Sequence, residues 1–188
     1  MPPPLPPLLG ADELPPPVLR AAVLDGELYP VGEAFRPVDL PLDPPARAAS
    51  LAGLAVHGRI IAGRTAAWVW GVGAAPALPY AVVLPHAAAV AHASPTEAEG
   101  VRVRTLRMRA SDAVRLGGVP VTTPMRTAID LLRSPEDAAG EGGAVGLVEV
   151  LARLCAIDLV DLRVELRTRS RLVGRTRALA RLQVLVTR

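Results

Sequence analysis

The 21 basic side chains are the densest chemistry in this sequence, and every one is Arg, with no Lys or Asn anywhere. A guanidinium is a planar fork of donors that grips a phosphate or a carboxylate through paired hydrogen bonds, and several together give strongly salt-dependent binding to a polyanion. Arg102, Arg104, Arg107 and Arg109 form one run; Arg163, Arg167, Arg169, Arg171, Arg175, Arg177 and Arg181 form another near the end. Residues 163–188 hold eight Arg against Glu165 alone, whereas residues 1–50 hold seven acids against three Arg. This asymmetry fits a basic C-terminal face turned toward nucleic acid. It fits equally a solvated helix surface in a chain whose only cation is Arg. Side-chain readout of adenine has almost no candidate, because Gln183 is the one amide side chain.

Other chemistries lack their residues. His57, His86 and His92 are scattered, and Cys155 stands alone, so neither a metal site nor an intrachain disulfide is expected. The glycines of "GVGAAP" and "EGGAVG" match neither a phosphate-cradling loop with its Lys nor a dinucleotide fingerprint, and no nucleophile elbow occurs. No catalytic residue and no cofactor are therefore assigned. The stretch "VPVTTPMRTAIDLLR" has a structural explanation instead. Thr123 is a good helix N-cap and Pro124 suits the first helical position, because its missing N–H has no intrahelical acceptor there. Arg126 and Asp130 then stand four apart, the spacing of a surface ion pair.

The elements that position these residues can be read from period and punctuation. Residues 1–17 contain eight prolines and read as an extended, polyproline-like arm. Residues 18–44 read as a helix stopping at Gly26, then a hairpin around Gly32-Glu33, which is the tail of a winged helix-turn-helix. Asp43-Pro44-Pro45 starts a further helix, and "AGRTAAWVWGV" another, with Trp68 and Trp70 as core packing. Four β-like runs follow: "YAVVLP", "GVRVRTLRM", "DAVRLGG" and "VPVTT", the last pair joined at Gly117-Gly118. In the second, Arg102 and Arg104 alternate with Val101 and Val103, which makes one face basic and the other apolar. The helix after Thr123, a loop at 134–143 and three helices near 144–156, 158–168 and 174–187 complete an α+β architecture. Its sheet is expected to be small and mainly antiparallel, within a domain spanning 45–188.

A hydrophobic fraction of 51% with 21% charged residues reads as a soluble globular chain. Residues 65–96 carry no charge, but Gly71, Gly73, Pro76, Pro79 and Pro85 divide them into pieces too short to span a bilayer, so no membrane is expected. "MPPPLPPLLG" lacks the features of a secretory signal, and the lone thiol fits a reducing compartment; the expected location is cytoplasmic.

"GRTAAWVWGV", "YAVVLP", "GVRVRTLRM", "GGVPVTTPMRTAIDLLR" and "VGRTRALARLQVL" occur in an order that resembles actinobacterial proteins similar to the AbiEi family of type IV antitoxins. The hairpin "DGELYPVGEAFRP" resembles the wing that ends that family's N-terminal module. The resemblance covers roughly residues 18–187. It implies a non-enzymatic antitoxin or transcriptional regulator, with a winged helix on its own promoter and a C-terminal domain that protects against a nucleotidyltransferase toxin. Relatives that carry a nuclease module have an acid, acid, Lys core that is missing here. Asp25, Glu27 and Glu33 stand where the family's wing and preceding helix are usually basic. The arginines assigned to DNA are Arg163, Arg167, Arg169, Arg171, Arg175, Arg177 and Arg181, with Arg102 and Arg104 as a second surface. The rival reading is a degenerate scaffold or protein-interaction domain that binds no nucleic acid.

Overall fold

Proline and glycine punctuation sets most element boundaries in the computed structural model, which describes residues 6–91, 100–135 and 143–187. Helix α1 (Pro16–Leu24) starts with proline in its first turn. Strands β1 (Leu28–Val31) and β2 (Ala34–Pro37) pair antiparallel around Gly32-Glu33. Helix α2 (Pro44–Ala49) is capped by Asp43, whose carboxylate accepts from the Ala46 N–H at 2.9 Å. Instead of continuing, it gives way to 3-10 turns at Ala52–Leu54 and Val56–Gly58.

Strand β3 (Ile60–Ile61) leads into helix α3 (Gly63–Val69), followed by β4 (Tyr80–Pro85), the short α4 (His86–Ala91), β5 (Val101–Leu106), β6 (Ala113–Leu116) and β7 (Val119–Thr122). The larger sheet runs β5-β4-β3-β7-β6. The β3/β4 and β6/β7 pairs are antiparallel and the β4/β5 and β3/β7 pairs are parallel, so the α+β class stands with a sheet that is mixed. Its central strand, β3, was not apparent in the sequence. Two residues are too few to display a period of two, and Ile61 is recognisable as a strand residue only by its partners, Val82 and Val121.

Helices α5 (Pro124–Arg133), α6 (Ala144–Leu154), α7 (Leu159–Thr168) and α8 (Arg175–Val186) follow the sheet. Ile129, Leu132, Val148, Leu151, Leu162, Leu166 and Leu182 form the helical core around α5. Ile61, Val69, Trp68, Val82 and Val121 form a second core between the sheet and α2 and α3. Full burial of such a side chain is worth roughly 1.5–3 kcal/mol, so these layers hold the framework that aims the arginines. Both tryptophans pack as expected, and the Trp70 indole N–H donates to the Thr122 carbonyl at 2.9 Å.

The proline-rich start is not wholly an arm. Leu9 is buried against Leu19 and Leu28, and it exchanges 2.8 Å backbone hydrogen bonds with Phe35, extending the hairpin by one bridge. His92 and residues 136–142 of the expected loop lie outside the described residues. Among the described residues no helix is long and apolar enough to cross a membrane, and no group of three or more His, Cys, Asp and Glu could hold a metal ion.

Candidate anion-binding cleft

The arginines divide by what surrounds them. Asp112 sits in a short 3-10 turn before β6, only 1% exposed, and is a hub. Arg169 clamps it with Nη1 and Nη2 at 2.9 and 2.6 Å, Arg126 Nη1 donates at 2.8 Å, and the Arg109 backbone N–H donates at 2.9 Å. Burial alone would raise the pKa of this carboxyl. The Arg169 hydrogen bonds, the Arg109 N–H and the charges of Arg126 and Arg169 overcome that and hold it below its usual value. In turn the carboxylate pushes the Arg169 guanidinium up, with Glu165 adding a 2.8 Å bond to its Nε.

Thr123 and Pro124 cap and start α5 as the sequence indicates, with Thr123 Oγ1 accepting from the Arg126 N–H at 3.4 Å. The Arg126–Asp130 pair forms at 2.8 Å, but the surface location expected for it is corrected: Arg126 is 2% exposed. Helix α5 packs against α3, α6, α7 and α8, so little of it reaches solvent. Asp112 supplies the counter-charge that the low-dielectric position demands.

Two of the α8 arginines complete the end of α5. The last carbonyls of a helix lack intrahelical donors and carry the negative end of its dipole, which favours cations. Arg181 donates to Leu132 O at 3.1 Å and Ser134 O at 2.7 Å, and Arg177 to Arg133 O at 3.2 Å. Gly174 permits this approach: a Cβ there would lie 3.0 Å from Arg133 O, at a φ of +81°. Arg175 bonds to the Arg169 carbonyl. Of the remaining arginines assigned from sequence, Arg163 is half-buried and 3.5 Å from Gln183, while Arg167 and Arg171 are exposed.

A cleft of about 1020 Å³ opens beside the edge strand β5. Arg102 and Arg104 line it from β5, Arg64 from α3, Arg133 from the end of α5 and Arg177 from the start of α8, so both sequence clusters contribute to one site. Asp130 is the carboxylate among the described lining residues, and Arg126 and Arg133 already hold it at 2.8 and 3.3 Å. Burial holds the Arg133 guanidinium below its usual pKa; Asp130 opposes the shift, and the like charges of Arg126 and Arg104 reinforce it. Such a concentration of cations is suited to binding phosphate or carboxylate.

Arg64, Arg133 and Asp112 were missed as site or framework residues. Arg64 lay in the "RTAAW" segment and Arg133 three residues after Asp130, but neither sits in an arginine run. Asp112 gave no local signal, because its main partner lies 57 residues away. At the other end, the hairpin tip is docked: the Glu33 N–H bonds to Ser50 O at 3.0 Å, and a Cβ on Gly32 would lie 2.4 Å from Ser50 Oγ. Arg36 is buried there, donating to Pro7 O and Pro41 O at 3.0 and 2.6 Å.

No family model matches this chain, and no curated protein matches it. Among solved structures, the Rv2827c protein from Mycobacterium tuberculosis is similar at a TM-score of 0.50 and 19% identity, over 97% of this chain and 72% of that one. At that identity the likeness is one of fold.

Proposed function

We propose that this chain is a non-enzymatic, cytoplasmic antitoxin or transcriptional regulator of the AbiEi type, and that it contacts the phosphates of its own promoter through the arginines that line the cleft. The observation that carries the reading is the convergence of Arg102 and Arg104 with Arg177, Arg64 and Arg133 on one cavity. The docked hairpin tip and the buried Arg36 favour this surface over the N-terminal wing as the DNA contact. Within the C-terminal run, Arg169 belongs to the framework, because its guanidinium is committed to Asp112. Functional pairing with a nucleotidyltransferase toxin follows from the family resemblance alone.

Fluorescence anisotropy with the upstream duplex and a scrambled duplex, across a salt series, tests the reading. The upstream duplex should bind at least about tenfold tighter, a difference of ~1.4 kcal/mol, with affinity falling steeply in salt. Charge reversal of exposed Arg102 and Arg104 together should abolish binding while circular dichroism stays unchanged. Equal affinity of the parent and that double variant would remove the cleft assignment.

A second reading has its own observation. Val150 and Leu154 on α6 and Val160 and Val164 on α7 are exposed apolar pairs at helical spacing, 44–68% accessible. They favour a protein-interaction domain, which a pull-down recovering one stoichiometric partner, with no duplex binding, would establish.

A further inference from the structure

We infer that the exposed face of α7 is a self-complementary surface that seats the α7 of a second copy of this chain, the two helices running parallel about a two-fold axis. This names a partner for the exposed valines of the protein-interaction reading and does not depend on the DNA reading. Leu162 and Leu166 are the buried residues of α7. They stand two positions either side of Val164, so at about 100° per residue Val164 points directly away from the core. It is 52% exposed, and Val160, one turn before it, is 68% exposed.

Charge is arranged around this stripe rather than on it. Asp161 lies about 60° to one side of Val164 with Glu165 beyond it, and Arg167 lies about 60° to the other side with Arg163 beyond it. The helix therefore carries an acidic flank, an apolar centre and a basic flank. A solvated helix keeps its charges on the outer face. An apolar centre with a charged rim is the anatomy of an interface. Glu165 is engaged by Arg169 and Arg109 at 2.8 and 3.2 Å, and Arg163 stands 3.5 Å from Gln183, so these two add only the sign of their charge. Asp161 and Arg167 are exposed and have no side-chain partner among the described residues.

The order of the charges selects a second copy as the occupant. In an isologous pair each surface meets its own equivalent. A two-fold axis parallel to α7 sets the acidic flank of each copy against the basic flank of the other, Asp161 towards Arg167 on both sides, with Val160 and Val164 on their equivalents between them. An axis across the helix would set acid against acid.

Sedimentation equilibrium of the full chain, from about 1 μM to about 1 mM, should show monomer passing reversibly to dimer. Val164→Glu should leave monomer throughout, with the circular dichroism spectrum retained. Asp161→Arg alone and Arg167→Asp alone should each weaken the dimer by about tenfold or more. An equimolar mixture of these two variants should recover it, because one copy then presents arginine and the other aspartate at both positions. A dimer that survives Val164→Glu, or that neither charge reversal weakens, is built on another face and would overturn the inference. Monomer at every concentration would overturn it too, and would leave the DNA reading intact if the duplex still binds. A monomer that instead holds one different protein through Val164 would overturn the self-association and leave the protein-interaction reading standing.

Discussion

Arg126 and Arg104 both stand on regular elements, yet one holds the fold together and the other lines a cavity. Arg126 is 2% exposed and 2.8 Å from a carboxylate that Arg169 also clamps. Arg104 is exposed on an edge strand, facing a cleft shared with Arg64, Arg102, Arg133 and Arg177. The difference lies in burial: Asp112 neutralises the first group inside the protein, whereas Arg104 shares the wall of an open cavity with other arginines.

The strongest way to break this comparison is at Asp112. Asp112→Asn leaves Arg126 and Arg169 buried with a weaker acceptor, and the cost expected is ~3–5 kcal/mol in urea unfolding. Acid should expose the same group in the parent protein. A carboxyl whose folded pKa is depressed contributes stability above its unfolded pKa of about 3.9, and loses it as pH falls from there through the folded value. Urea midpoints should therefore drop in that window, and more shallowly in Asp112→Asn. A parallel drop in both proteins would mean that other carboxyls dominate the acid limb.

A smaller effect sharpens the local side of the contrast. Thr123→Ala removes the α5 cap, and a loss of about 1 kcal/mol is expected from the same unfolding measurement. The smallest effect belongs to the cleft: Arg102→Gln/Arg104→Gln should stay within about 0.5 kcal/mol of the parent. A loss of ~3 kcal/mol there would place these arginines in the framework and erase the distinction.

The hairpin repeats the lesson in the other half of the molecule. Its turn was legible because Gly32 supplies the positive φ that a tight turn needs. Its docking was not, since nothing near Glu33 announces that Ser50 accepts its N–H or that Tyr80 lies beside its carboxylate. Burial first, and Glu33 second, push the Tyr80 phenol up to about 12. The tip therefore lies against the body of the protein with Glu33 still exposed, and a projecting wing is lost to that contact.

By itself the sequence determined what is local. Asp43 and Thr123 as caps, Pro44 and Pro124 in first turns, the Gly117-Gly118 hairpin and the alternation of β5 all depend on residues within a few positions of one another. The α+β class follows from their order. Only the tertiary structure decided which arginines face inward to a carboxylate and which share a cavity. A charge finds its place by solvation and by partners as distant as the 57 residues between Asp112 and Arg169, and no local pattern encodes either. For the same reason the central strand β3 emerged only once β4 and β7 closed around Ile61.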